Sequence, residues 1–175
     1  MHKPLLIGQA PGPNTDPGYP LYPVPRTSAG GRLCELMGLS RGEYILAFDR
    51  VNLLPYFPGK TTANEDRFPM TPARLAAAVL RPMLRGRRVI LVGRQVAQAF
   101  QVESDWHEWI DLRAGPRHAA DRSDGLAQVA VVPHPSGRNH WYNSDLNRER
   151  ARRFWAELLQ NSAETDRKVL PFRAD

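Results

Sequence analysis

The stretch "RVILVGRQVAQAF", residues 88–100, sets a short β-branched apolar run against a Gly–Arg turn and then an alanine-bearing run of helical character. A run this short and this branched reads as a strand buried on both faces, with a helix starting directly after it. Three more runs of the same kind flank it: "PLLIG" at 4–8, "YILAFDRVN" at 44–52 and "AQVAVVP" at 127–133. Helical patterns fill the intervals. "TPARLAAAVLRPMLRG" (71–86) opens with a Thr cap and Pro72 at the first helical position, and sets Leu75, Ala76, Val79, Leu80, Met83 and Leu84 on one stripe. Pro82 is expected to kink or end that helix. "GGRLCELMG" (30–38), "RQVAQAF" (94–100) and "NRERARRFWAELLQ" (147–160) are further helices, the last with Ala151, Phe154, Trp155, Leu158 and Leu159 on one face. Strand–helix alternation predicts an α/β sandwich around a mostly parallel, four-stranded central sheet, with functional loops leaving the carboxyl ends of the strands.

At 175 residues, with 42% hydrophobic and 24% charged side chains, the chain has the size and composition of one folded domain. Its formal charge of +6 is carried almost entirely by Arg, since Lys occurs only at positions 3, 60 and 168. Arg forks match phosphates and base edges, so nucleic acid is a candidate partner, although Arg preference also follows from genome composition. The single Cys34 excludes a disulfide framework and an all-cysteine metal site within the chain, and fits a reducing compartment. There is no apolar run of about 18 residues and no secretory pattern at the N-terminus, so the expectation is a cytoplasmic protein without a membrane partner.

Two connections are long and rich in turn residues. Residues 10–28 hold six prolines and residues 53–71 are of similar character, and loops of this length in a compact domain are usually functional or disordered. "GQAPGP" after the first strand can aim backbone N–H groups at an anion or a carbonyl oxygen, or form no more than a rigid turn. It is not a dinucleotide fingerprint, and "GRQVAQAF" lacks the Lys and Ser/Thr of a phosphate loop. Asn52, at a strand end, offers a donor and an acceptor to a planar partner or caps a turn. His134 is held between Pro133 and Pro135, which stiffens its backbone and fixes the direction of its ring.

Taken together and in this order, "LLIGQAPGPN", "SAGGRL", "VNLLP", "VILVGRQVAQAF" and "HPSGRN" resemble the uracil-DNA glycosylase superfamily over most of the chain. The likeness is strongest to its thermophile-type and single-strand-selective-type branches, but the iron–sulfur cysteines of the former are absent. The resemblance implies a three-layer α/β/α sandwich spanning residues 1–160, with 161–175 a polar C-terminal extension. It also implies an enzyme that flips a nucleotide out of double- or single-stranded DNA and hydrolyses its N-glycosidic bond with neither cofactor nor metal; a monomer is the default expectation.

Carried over position by position, Gln9 matches the polar second residue of the first motif, Asn52 the base-reading Asn and His134 the His of the second motif. Ala10 and Gly12 fall in the base-binding loop. Ala10 replaces the carboxylate or amide that positions water in the best-known branches, leaving that role to Gln9 or Asp16. Tyr22 is the ring placed to stack on the base. Ser136, Arg138, Asn139, His140, Trp141 and Tyr142 form the loop expected to enter or line the duplex; alternatively Trp141 and Tyr142 pack on the final helix. With no Lys placed as a nucleophile, plain hydrolysis is expected rather than an imine intermediate. Two other readings stand beside this one: a superfamily member that binds DNA or a modified base without hydrolysing it, and an enzyme of free nucleotides.

Overall fold

The computed structural model describes residues 2–63, 66–113, 126–136 and 139–169, with side chains as far as 161. The strands are β1 (Leu5–Gly8), β2 (Asp49–Asn52), β3 (Arg88–Val92), β4 (Trp109–Arg113) and β5 (Leu126–Val132). They form one five-stranded sheet in the order β2-β1-β3-β5-β4. β2, β1, β3 and β5 run parallel, and β4 closes the edge antiparallel to β5. The sheet therefore has five strands rather than four. β4 is the extra one: "WIDLR" is short and buries fully only Leu112, so it carries no apolar run to betray it.

The helices are α1 (Ala29–Leu36), α2 (Arg41–Ala47), α3 (Met70–Leu80), α4 (Arg94–Ala99) and α5 (Asp145–Val169). Half of the "YILAFDRVN" run expected as strand belongs to α2, and only residues 49–52 pair in the sheet. Ser40 and Glu43 form a reciprocal capping box there, which overrides the strand propensity of aromatic Tyr44 and β-branched Ile45 by satisfying two end donors. α3 starts at Met70 behind Pro69, without the Thr71 side-chain cap. It ends at Leu80, where Pro82 enters a 3-10 turn over Arg81–Leu84, as its missing N–H requires. α5 continues to Val169, into the segment set apart above as an extension.

Alternate strand residues feed two clusters, one on each face of the sheet, as a period of two demands. Leu5, Ile7, Val89, Leu91, Val129 and Val131 pack with Ala73 and Ala77 of α3 and Val96 and Ala97 of α4. Leu6, Ile90, Val92, Ala130 and Val132 pack with Leu33 of α1, Tyr44 of α2 and Ala151, Phe154, Trp155 and Leu158 of α5. Side chains as large as Trp155 and Phe100 are wholly buried, and truncating either to Ala is expected to cost about 3–5 kcal/mol.

α3 turns differently from its expected stripe. Ala73, Ala77 and Leu84 are buried, with Ala76 and Leu80 packed beside them, while Leu75, Val79 and Met83 are 67%, 75% and 69% exposed. Small residues let α3 lie close to its neighbours, so the alanine face wins the interior from the larger side chains.

The order of the strands positions the site. From β1 the chain crosses one face of the sheet to β2, then returns over the other face to β3 on the far side of β1. Between the carboxyl ends of β1 and β3 the connections therefore diverge, which is where an open parallel sheet leaves a crevice. The opposite pole is closed: Arg87 pairs with Asp49 and donates to the Lys3 carbonyl at 3.0 Å. No helix among the described residues is long and apolar enough to cross a membrane.

Candidate functional site

Three strands end at the crevice in polar side chains. β1 runs from Gly8 into Gln9, β2 ends at Asn52 directly opposite Gly8, and β5 runs through Pro133 into His134. Two glycines make room for them. A Cβ on Gly8 would lie 2.5 Å from Asn52 Oδ1, so the Asn52 amide rests on the bare Cα of the neighbouring strand. Gly93, just past β3, has φ +102° and ψ 152°, a conformation essentially reserved to glycine. A Cβ there would sit 3.0 Å from Gln9 Nε2 and 3.2 Å from His134 Cβ. Gln9 and His134 thus meet over Gly93, and the backbone N–H of Gly93 is fixed by Val132 O at 2.8 Å.

These groups line one cavity of about 280 Å³. Gln9, Ala10, Gly12, Tyr22, Asn52 and His134, drawn from widely separated parts of the chain, all reach it. The side chains of Gln9, Asn52 and His134 have no hydrogen-bond partner among the described residues, so their capacity faces the cavity. Ala10 contributes a methyl group that also packs on the core below. Tyr22 sits edge-on to Tyr19, with ring centroids 5.4 Å apart, and its carbonyl accepts from the N-cap hydroxyl of Ser28. The turn before it is held by the buried Tyr44 hydroxyl, which donates to Leu21 O at 3.1 Å. Asp16 stands outside: it is exposed, and its carboxylate accepts from Gly18 N–H at 2.8 Å in a local turn.

The far wall comes from the connection after β2 and carries Phe57, Asp66 and Arg67. The sequence points to Asn52 in this loop and to none of these three. Their placement depends on contacts within the loop, a bridge between Lys60 and Asp66 and an Arg67 N–H bond to Gly59 O at 2.9 Å, which no local periodicity announces. An aromatic next to a Pro–Gly turn (Phe57–Pro58–Gly59) was the available signal. Asp66 supplies a carboxylate at the mouth. Desolvation holds the His134 imidazole below its ordinary pKa of 6.5, and the negative charge of Asp66 opposes that only in part, so the ring is neutral at pH 7.

The loop after His134 is put together differently. Asn139 donates to His134 O at 2.8 Å and accepts from Trp141 N–H at 3.0 Å, capping a 3-10 turn over His140–Asn143. Tyr142 turns inward and its hydroxyl donates to Pro133 O at 2.8 Å. Trp141 is half-buried, 5.1 Å from the ring of His107 and edge-on to Tyr142. Both rings pack against the α5 side of the core, so the packing alternative describes where they lie. His140 is exposed, Ser136 is half-buried, and Arg138 lies outside the described residues.

Among the described residues no three His, Cys, Asp or Glu side chains come close enough together to hold a metal ion. No protein-family model matches the chain, and no curated protein matches it either.

Proposed function

We propose that the protein is a monofunctional DNA glycosylase that hydrolyses the N-glycosidic bond of uracil, or of a related deaminated or 5-substituted base, flipped out of DNA. The observation that carries this reading is the convergence of Gln9, Asn52 and His134 on one cavity, each with free hydrogen-bonding groups, beside the rings of Tyr22 and Phe57. Its volume lies at the small end of ligand sites, which suits a base and its sugar and not a dinucleotide cofactor. The finer architecture belongs to the same reading: a three-layer sandwich acting as a cytoplasmic monomer on double- or single-stranded DNA.

Base removal requires extrusion of the nucleotide, at a cost of a few kcal/mol that damaged or mispaired bases reduce. Stacking on Tyr22 or Phe57 offsets part of that cost, at about 1–3 kcal/mol per stacked base. As the bond breaks, the base takes the electron pair and becomes anionic while the sugar becomes cationic. The N–H of neutral His134 is directed at the anionic pyrimidine oxygen, Asn52 reads the opposite edge, and Gln9 orients the water that adds to the sugar carbon. The proton of that water ends on the departed base anion, giving the free base and the sugar hydroxyl. Asp16 lies outside the cavity, so in this reading positioning of the water falls to Gln9, and the cavity carboxylate, that of Asp66, stabilises the sugar cation. With no Lys among the described residues that line the cavity, plain hydrolysis is the expected course, and borohydride is expected to trap no adduct.

Ala10 favours one second reading, a base- or DNA-binding protein without hydrolysis, because a methyl group cannot hold water. One experiment separates them. Oligonucleotides bearing uracil, hydroxymethyluracil, hypoxanthine or thymine opposite guanine are incubated with the protein and then with alkali. Cleavage at the modified position supports the glycosylase; salt-sensitive binding without cleavage supports the binding protein.

A further inference from the structure

Behind the loop that follows His134 lies a second cavity, of about 300 Å³, between α1 and α5. Arg32 of α1 and Arg148 and Arg152 of α5 line it, together with Ser136 and Asn139. Their charges are unequally matched. Arg148 pairs with Asp145 and donates to Tyr142 O at 3.1 Å. The one carboxylate on the wall, Glu35, is held by Arg26 from outside the groove. Arg32 donates from Nε to Thr27 O at 3.1 Å and its charge also bears on the Glu35 carboxylate, while Arg152 has no partner among the described residues. Among the described residues the groove thus sets three guanidinium groups, that of Arg152 without a partner, against the single carboxylate of Glu35, which Arg26 also engages, next to a serine hydroxyl.

We infer that this groove is a second anion site, which takes a backbone phosphate of the same DNA strand whose nucleotide enters the main cavity; the inference rests on the proposed function. The linings of the two cavities adjoin along the chain, His134 belonging to the first and Pro135 to the second. Ser136 is two residues from His134, a span of at most about 7 Å along the chain. Asn139 lines the groove and bonds His134 O, so a phosphate seated there bears on the segment that aims the imidazole. Arg forks suit a phosphate diester, which accepts from two guanidinium groups at once. A free phosphate offers the same chemistry, and the test distinguishes the two.

The experiment measures binding of a uracil oligonucleotide against salt concentration for the unaltered protein and for Arg32→Gln/Arg152→Gln. A parallel set of oligonucleotides replaces single phosphates near the uracil by neutral methylphosphonates. Loss of one phosphate contact is expected to lower the slope of log K against log salt by about 0.7–0.9. One neutral linkage is expected to weaken the unaltered protein several-fold and the double variant not at all. This arm needs no variant to detect the contacted phosphate. An unchanged slope and no sensitive linkage, with excision intact, overturns the groove proposal while leaving the function standing. Binding of inorganic phosphate that is lost in the double variant, with every neutral linkage tolerated, also overturns it, in favour of a free-anion site. Neither excision nor salt-dependent binding by the unaltered protein overturns the underlying reading, and the proposal with it.

Discussion

His134 and Tyr142 sit on the same connection between β5 and α5 but behave oppositely. His134 presents a neutral imidazole to a cavity in which no described group bonds it, while the Tyr142 hydroxyl is consumed by Pro133 O and its ring by the core. Between them Asn139 bonds both ways along the backbone. A mixture of rings, amides and cations in sequence therefore has two meanings. Near the crevice the groups are left available to a ligand; past Asn139 the chain uses the same residue types to tie its own turn.

The sharpest way to test that contrast is to alter each side in turn. His134→Ala or Asn52→Ala is expected to slow base removal roughly 100- to 1000-fold, the effect of losing one donor aimed at developing charge, with a melting temperature close to that of the unaltered protein. Single-turnover kinetics and calorimetry read the two quantities separately, and a large fall in melting temperature with normal turnover would erase the contrast. Gly93→Ala acts on both counts. The forbidden φ is expected to cost about 1–3 kcal/mol, and the new Cβ crowds Gln9 and His134, so both denaturation and excision should register it.

Smaller effects belong to the turn. Tyr142→Phe is expected to lose about 1 kcal/mol, the net worth of one hydrogen bond plus an unpaired carbonyl, and to change excision far less than the cavity variants do. His107 gives the turn a dependence on pH. Burial, followed by repulsion from Arg150, lowers its pKa to about 4, against about 6.5 in an unfolded chain. Between these values the unfolded state holds the proton and the folded state does not, so stability is lost as pH falls from 6.5 towards 4. With the ring only half-buried, the loss is on the order of 1–2 kcal/mol. Asn tolerates the positive φ of 68° at this position, so His107→Asn should fold and should flatten the difference between denaturation midpoints at pH 7 and pH 4.5.

How much of this is written in the sequence depends on range. β1, β3 and β5 are legible because strands buried on both faces must be apolar throughout, and the end of α3 is legible because Pro82 cannot continue it. β4 and the exposed stripe of α3 are not, since a half-exposed edge strand and a helix packing through alanine both run against the rule that large apolar residues mark the interior. The same divide runs through the site. Gln9, Asn52 and His134 follow strand ends, whose positions the fold sets. Phe57, Asp66 and Arg67 reach the cavity only because their loop folds back on itself, and Trp141 turns inward because His107, from another connection, meets its ring.

Whether one slot grips a pyrimidine ring can be measured without hydrolysis, by titrating free uracil into isotope-labelled protein and following side-chain resonances. Joint shifts of the Gln9 and Asn52 amides and the His134 ring, with the indole of Trp141 unmoved, are what the convergence of these strand ends predicts. Shifts confined to the turn at 139–143, with those three resonances still, would contradict it.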